Sequence, residues 1–224
     1  MPAAQAIAGA SVDARAAPDA LEAVYAQAVA RPSDIHEHLP LLRALAEKCE
    51  HVTELGLRWA NGSTVAFLAA QPRALVSWDL DPRAVVSGRV QALLGMAGRT
   101  RFQPRVGDTL EVEVEETDLL FFDTYHTGKH LYAELMRHGD KARKYLVFHD
   151  TITFGIVGED GVEPGLRAAI KRFRRERWPL WRVLEDRENC NGLVVLQRET
   201  DWERENGQVS GWIQPKQPRG GGSA

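Results

Sequence analysis

The sequence predicts an α/β protein built on a doubly wound, mostly parallel sheet of seven strands. Two observations support this. From residue 51 onward, short apolar runs alternate with helix-length amphipathic segments, the pattern of parallel strands joined by crossover helices. Two of those runs, Leu119-Leu120-Phe121-Phe122 and Tyr145-Leu146-Val147-Phe148, are apolar throughout, as strands buried on both faces are. A third observation concerns function. Each run is followed at once by proton- and metal-handling residues, Asp123-Thr124-Tyr125-His126 after the first and His149-Asp150-Thr151 after the second. Open α/β sheets bind ligands outside the carboxyl ends of their strands, so two such strands side by side bring two carboxylates and two imidazoles into one small volume.

The elements follow in order. Residues 1 to about 17 read as a loose arm. Pro18-Asp19 can start a helix through about Ala30, with Asp19 near its N-cap. Arg31-Pro32-Ser33-Asp34 breaks it, and a second helix is expected over 36–48, with Leu39, Leu42, Leu45 and Ala46 inward and Pro40 at odds with its interior. Strands are expected at 51–56, 74–79 and 101–106. A helix over 63–70, capped by Ser63-Thr64, separates the first two, and one from Asp81-Pro82 to Leu94 separates the second and third. The fourth and fifth strands are the two apolar runs, joined by a helix over 128–137. A basic helix over 165–177 follows, carrying Arg167, Lys171, Arg172, Arg174, Arg175 and Arg177, which read as a solvated face. Trp178 and Trp181 read as packing residues, and His130 and His138 as the exposed face of their helix. The last two strands, 180–184 and 193–197, are joined by a short polar stretch holding Cys190 and should be antiparallel. From Thr200 the chain reads as a polar tail with a Gly-rich, disordered end.

Composition narrows the classes. With 224 residues and 44% apolar content, the chain can bury the core of one ordinary domain. A net charge of -3 favours neither nucleic acid nor anionic membrane as a partner. No apolar run reaches the about 20 residues that span a bilayer, and the Ala-rich start lacks the basic opening of a signal peptide. Two cysteines without a CxxC pair indicate neither a disulfide framework nor a zinc module, and a cytoplasmic setting is the simplest.

The strand ends read as a nucleoside site. Gly56, after Glu54 and Leu55, lets a ligand approach the backbone beside a helix N-terminus. Asp79 closes the second strand, where an acid suits ribose hydroxyls, and Asp108 after the third could take an exocyclic amine. The loop Gly56-Leu57-Arg58-Trp59-Ala60-Asn61-Gly62 lacks the G-x-G-x-x-G pattern that a pyrophosphate needs, which disfavours a nicotinamide dehydrogenase. Further along the same edge, Asp123 and Asp150 could ligate a hard cation such as magnesium, and His126 could serve as a general base. His149 points away if the strand persists to its end and joins the site if the chain turns there.

These residues resemble the class I S-adenosylmethionine-dependent methyltransferases, over about residues 33–198. The likeness is strongest to the branch of macrolide-sugar O-methyltransferases and cephalosporin hydroxylase-like proteins. It rests on Ser33-Asp34-Ile35-His36-Glu37-His38-Leu39-Pro40, Thr53-Glu54-Leu55-Gly56, Phe122-Asp123-Thr124-Tyr125-His126-Thr127, Phe148-His149-Asp150-Thr151 and Asn191-Gly192-Leu193. The resemblance implies a Rossmann-like sheet that binds S-adenosyl-L-methionine, in a domain over 51–199; the sequence itself sets apart an N-terminal arm and helices at 1–50, a lid or dimer contact, and a flexible tail at 200–224. It implies that Glu54 and Gly56 line the methionine and ribose part of the cofactor, that Asp79 holds the ribose diol and that Asp108 lies near the adenine. It implies metal ligation by Asp123 and Asp150 with His149 between them, where those enzymes carry an acid. That departure tilts the expected ion from magnesium toward manganese or iron. His126 matches their catalytic base, and Trp59 stands where a small residue is common.

The expected activity is methyl transfer to a hydroxyl of a sugar or other small metabolite. The protein aligns acceptor and methyl, the cation lowers the hydroxyl pKa and His126 takes the proton. Two alternatives remain: a non-haem iron oxygenase, whose two-His-one-carboxylate set this cluster contains, and a noncatalytic S-adenosylmethionine-binding protein. Acceptor specificity is expected in the N-terminal helices and in the loop after Asp150, with Phe154, Gly155 and residues 158–161.

Overall fold

The computed structural model describes residues 16–199; the expected arm before them and the tail after them lie outside that range. A seven-stranded sheet runs in the order β3-β2-β1-β4-β5-β7-β6. Its strands are β1 (His51–Leu55), β2 (Ala74–Asp79), β3 (Arg101–Val106), β4 (Thr117–Phe122), β5 (Ala142–His149), β6 (Trp181–Arg187) and β7 (Leu193–Arg198). β1 to β5 pair in parallel, while β7 pairs antiparallel with both β5 and β6. β3 contains Pro104, which has no N–H for a ladder, and it lies at the sheet edge where that donor is not required.

Strand alternation divides the core. Leu119 and Phe121 of β4 face one layer, made by α1 (Ala16–Ala30), α2 (Leu39–Ala46), α3 (Ser63–Ala69), α4 (Pro82–Val85) and α5 (Gly88–Met96). Leu120 and Phe122 face the other, made by α6 (Gly128–His138) and α7 (Leu166–Glu176). Phe121 packs edge to face on Phe67 of α3 with centroids 5.5 Å apart, and truncating such a buried ring costs about 3–5 kcal/mol. Leu21 and Tyr25 of α1 and Leu39, Leu42 and Leu45 of α2 share one apolar cluster with α3. Among the described residues no helix is long and apolar enough to cross a membrane.

Several local expectations are corrected. The second helix is a 3-10 turn at His36–His38 followed by α2, so Pro40 sits in a helical first turn, where its missing N–H does no harm. The helix expected over 81–94 is two, because the Ser87 hydroxyl accepts from Val90 N at 3.3 Å and starts α5 afresh. His138 is buried rather than exposed, with Nε2 2.7 Å from the Thr109 carbonyl, and His130 is half-buried against Glu134. Trp181 is wholly buried, but Trp178 is 57% exposed. Lys171, Arg172 and Arg175 of α7 are exposed as expected, with Leu166, Ala169, Ile170 and Phe173 beneath, but Arg167 is half-buried, donating to the Thr151 carbonyl at 2.8 Å and to Asp186, and Arg174 is half-buried beside the Trp181 carbonyl.

The tightest constraint lies where β1 leaves the sheet. Gly56 has φ +97°, and a Cβ there would sit 2.0 Å from the Asp123 carbonyl oxygen. Gly56→Ala therefore meets both left-handed backbone strain and a backbone collision. It is expected to lower stability by at least roughly 2 kcal/mol, read as a shifted urea midpoint with unchanged slope; a wild-type midpoint would contradict this packing.

Candidate active site

Register places the strand ends abreast. Leu55 pairs with Trp78 on one side and with Phe122 on the other, and Phe122 pairs with Phe148. The next residues, Gly56, Asp79, Asp123 and His149, therefore stand side by side along one edge. At Asp150 the backbone turns, with φ +59°, so both His149 and Asp150 enter the same volume as Asp123.

His126 holds this volume together. Its Nε2 lies 3.1 Å from Asp123 Oδ1 and 3.0 Å from Asp150 Oδ2. Its Nδ1 lies 3.1 Å from Glu159 Oε2, and its ring stacks on Phe154 at 4.9 Å. His149 Nδ1 lies 3.3 Å from Asp123 Oδ1, while its Nε2 faces the carbonyls of Asp34 at 3.0 Å and Cys190 at 3.2 Å. Burial disfavours the imidazolium of His126, but hydrogen bonds and charges from Asp123 and Asp150 outweigh it and raise the pKa to about 10. The same contest, won chiefly by Asp123, raises His149 to about 9. Burial likewise opposes the carboxylates, yet donation from the imidazoles holds Asp123 and Asp150 below the ordinary range. Near neutral pH the cluster is two carboxylates and two imidazolium ions, a balanced set in a buried place.

The groups that could hold a cation are Asp123, His126 and Asp150, whose ligand atoms lie within 4.8 Å of one another. His149, expected between the two acids, instead has both ring nitrogens directed at protein oxygens. Glu159 and Phe154 lie in the loop expected to set specificity, but their positions on the two sides of His126 were not read from sequence.

The nucleoside residues are placed as follows. Glu54 is wholly buried and faces α3, not the edge. Its carboxylate accepts from Ser63 Oγ at 2.6 Å, Thr64 Oγ1 at 2.9 Å and Ser77 Oγ at 2.5 Å. Ser63 and Thr64 thus bind Glu54 rather than capping α3, whose N-cap is Gly62. Asp79 is half-buried; Oδ2 accepts from Arg58 N at 2.6 Å and Oδ1 from Asp81 N at 2.8 Å. Each oxygen retains a second lone pair for a ligand hydroxyl. Asp108 accepts from Leu110 N at 2.8 Å, closing the turn after β3. A cavity of about 400 Å³ opens between α1 and the loop after β1, large enough for a small ligand. Gly56 and Asp123 line it together with Gln27, Arg31, Asp34 and Arg89; Glu54, Asp79 and Asp108 do not.

Glu134 of α6 belongs to the same neighbourhood and was missed. Wholly buried, it accepts from Thr109 Oγ1 at 2.5 Å and Thr124 Oγ1 at 2.9 Å, tying the loops after β3 and β4. The sequence signal was a carboxylate on the apolar stripe Leu131, Leu135, His138.

No protein-family model matches the chain, and no curated protein sequence does. Solved structures share its fold. A methyltransferase from Podospora anserina, bound to SAH, is 16% identical with a TM-score of 0.57, over 82% of this chain and 89% of that one. An O-methyltransferase from Bacillus cereus, in complex with SAH, is 13% identical with a TM-score of 0.57, over 82% and 91%. The O-methyltransferase TomG from Streptomyces achromogenes, involved in tomaymycin synthesis and in complex with SAM, is 14% identical with a TM-score of 0.57, over 82% and 90%. The chain thus has the Rossmann-like fold of class I S-adenosylmethionine-dependent methyltransferases.

Complete burial raises the Glu54 carboxyl from 4.5 to about 7 against its three hydroxyl donors. A raised folded pKa means that the stabilising contribution is full below pH 4.5 and is lost as pH climbs to 7. Glu54→Gln removes this titration. Relative to wild type, the variant should gain roughly 3 kcal/mol between those limits, measured by urea unfolding at the two pH values. A difference independent of pH would show that Glu54 stays ionised in the fold.

Proposed function

We propose that this protein is an S-adenosylmethionine-dependent O-methyltransferase whose acceptor is a hydroxyl of a sugar or another small metabolite. The observation that carries the reading is the position of Asp123. It lines the cavity beside the loop after β1, and its carboxylate belongs to the cluster with His126 and Asp150. A cofactor against that loop and an acceptor against that cluster would meet at Asp123. The solved structures of like fold with SAH or SAM bound support the cofactor assignment.

The donor set fits a divalent cation. Asp150 Oδ1 is buried and accepts no hydrogen bond among the described residues, although His149 Nδ1 stands 3.6 Å away. The two carboxylates suit magnesium or manganese, and Asp123 and Asp150 would hold the ion. When bound, it would supply the charge that makes an acceptor hydroxyl acidic enough to attack a sulfonium.

The remaining work falls to the chain. Glu159 accepts from His126 Nδ1, so the neutral tautomer keeps its proton on Nδ1 and leaves the Nε2 lone pair to take a proton. Nε2 faces Asp123 and Asp150, where the acceptor proton must leave. While both carboxylates hold it, His126 is protonated and cannot act as a base. It would become one once those carboxylates are engaged elsewhere, which lowers its pKa so that the Nε2 proton passes to solvent before the acceptor is deprotonated. Stacking on Phe154 keeps the ring in plane through that change. Asp79 offers its free lone pairs to the ribose diol, and Asp108 lies along the same edge for the adenine. The loop over 151–165 and α1 bound the acceptor region and set its specificity.

Calorimetry with S-adenosylhomocysteine, with and without magnesium or manganese, tests the cofactor half. Asp79→Ala is expected to weaken binding at least tenfold, and absence of binding by wild type under every condition would end the methyltransferase reading. For the chemical half, Asp123→Asn and His126→Ala should bind S-adenosylhomocysteine within a few-fold of wild type. Transfer to a responsive acceptor should fall on the order of a hundred- to ten-thousand-fold. Full rate in His126→Ala would remove it as the base.

A further inference from the structure

A second set of ligand-type side chains lies where the N-terminal segment meets the turn between β6 and β7, and the proposed chemistry does not use it. Cys190 Sγ is 3.4 Å from His36 Nδ1, across 154 positions of sequence, and 3.6 Å from the Ser33 carbonyl oxygen, which itself lies 2.8 Å from that nitrogen, so Nε2 is the ring nitrogen a metal would take. His36 Nε2 is 4.0 Å from Glu37 Oε1. One ligand atom from each of His36, Glu37 and Cys190 falls within 4.8 Å of the others. The imidazole and thiol are half-buried and the carboxylate is exposed, so an ion could enter from solvent.

Other uses of this group fit less well. The second cysteine, Cys49, is buried at Leu45, which excludes a disulfide in this conformation. A cysteine–histidine catalytic pair needs room for a substrate, and neither His36 nor Cys190 lines the cavity. The backbone around the thiol is held in place from the other side. Cys190 and Asn191 have φ +42° and +66°, which non-glycine residues adopt only when their surroundings impose it. His38 Nε2 lies 3.0 Å from the Asn189 carbonyl, and His149 Nε2 lies 3.2 Å from that of Cys190. The turn is therefore pinned by its carbonyls, and its thiol is presented to His36. The Asn189 side-chain amide also donates to Glu37.

We propose that His36, Glu37 and Cys190 form a zinc site that clips the N-terminal segment onto the β6–β7 turn. A thiolate, an imidazole and a carboxylate make a borderline-soft donor set that suits zinc and not magnesium, whereas the cluster at Asp123 is dominated by hard oxygen. Three protein ligands leave a fourth position for water. Ser33 and Asp34, just before His36, line the cavity, so the clip fixes one wall of the proposed active site. The clip stands whether or not that activity does.

Cobalt titration of metal-stripped full-length protein tests this, because thiolate ligation gives a near-ultraviolet charge-transfer band that oxygen and nitrogen ligands do not. One equivalent should produce the band, and zinc should abolish it by displacement. Cys190→Ser should lose the band, His36→Gln should weaken metal binding at least tenfold, and Asp123→Asn should retain both band and affinity. Zinc should raise the melting temperature of Asp123→Asn but not of the double variant Asp123→Asn/His36→Gln, in which the Asp123 cluster cannot mask the loss. No band in wild type, or a band that survives Cys190→Ser, would overturn the proposal. If Cys190→Ser does not fold, an undiminished charge-transfer band with unchanged cobalt affinity in His36→Gln would do the same.

Discussion

In-register parallel pairing of β1, β4 and β5 is the constraint on which the rest of this molecule depends. Parallel strands end at one edge, and the shared register of Leu55, Phe122 and Phe148 makes the next residue of each strand a neighbour. A slip of one residue would send the apolar side chains of β4 to the wrong layers, so core packing and the site are specified by the same pairing. Gly56 follows from it. With Leu55 and Phe122 side by side, the chain leaving β1 must pass against the Asp123 carbonyl, and no side chain fits between them.

Electrostatics explains why the cluster can exist in a buried place. An isolated carboxylate at Asp123 would lose several kcal/mol of hydration, more than one hydrogen bond returns. Two imidazoles and two carboxylates that share their protons return most of it. Among the described residues the arrangement also leaves Asp150 Oδ1 without a donor. Glu54, on the strand paired with β4, shows the opposite solution. It meets hydroxyls and no cation, and burial drives it toward neutrality near pH 7. The two acids differ in their partners, not in their burial.

Sequence carried what depends on period and position along the strand. β2 and β3 matched their expected limits, and the two apolar runs placed Asp123, His126 and Asp150 in one volume, whereas His149 depended on whether the chain turns at Asp150, which it does. It did not carry what depends on a partner far along the chain. Ser63 and Thr64 have the residue types of a helix cap, and only the register of β1 against β2 reveals that Glu54 and Ser77 claim them. Glu159 reaches His126 from a long loop, which has no period to read. His138 and Glu134 were legible in principle, since they lie on an apolar stripe, but polar character outweighed position in the reading. The division of α4 from α5 turned on one hydroxyl, a signal no stronger in sequence than that of any other serine.

His149 connects the two halves of the site region in a way that neither residue type nor spacing discloses. Its Nδ1 faces Asp123, and its Nε2 faces the carbonyls of Asp34 and Cys190. The first of those carbonyls belongs to the N-terminal segment and the second to the β6–β7 turn. Movement of either would change what Nε2 can donate to, and so the ease with which His149 carries a proton and the charge it presents to Asp123. A rigid junction between segment and turn therefore acts on the buried carboxylate through one ring of fixed geometry, without the segment touching Asp123. On this view the N-terminal segment contributes to the electrostatic surroundings of Asp123 indirectly, by giving His149 Nε2 an acceptor.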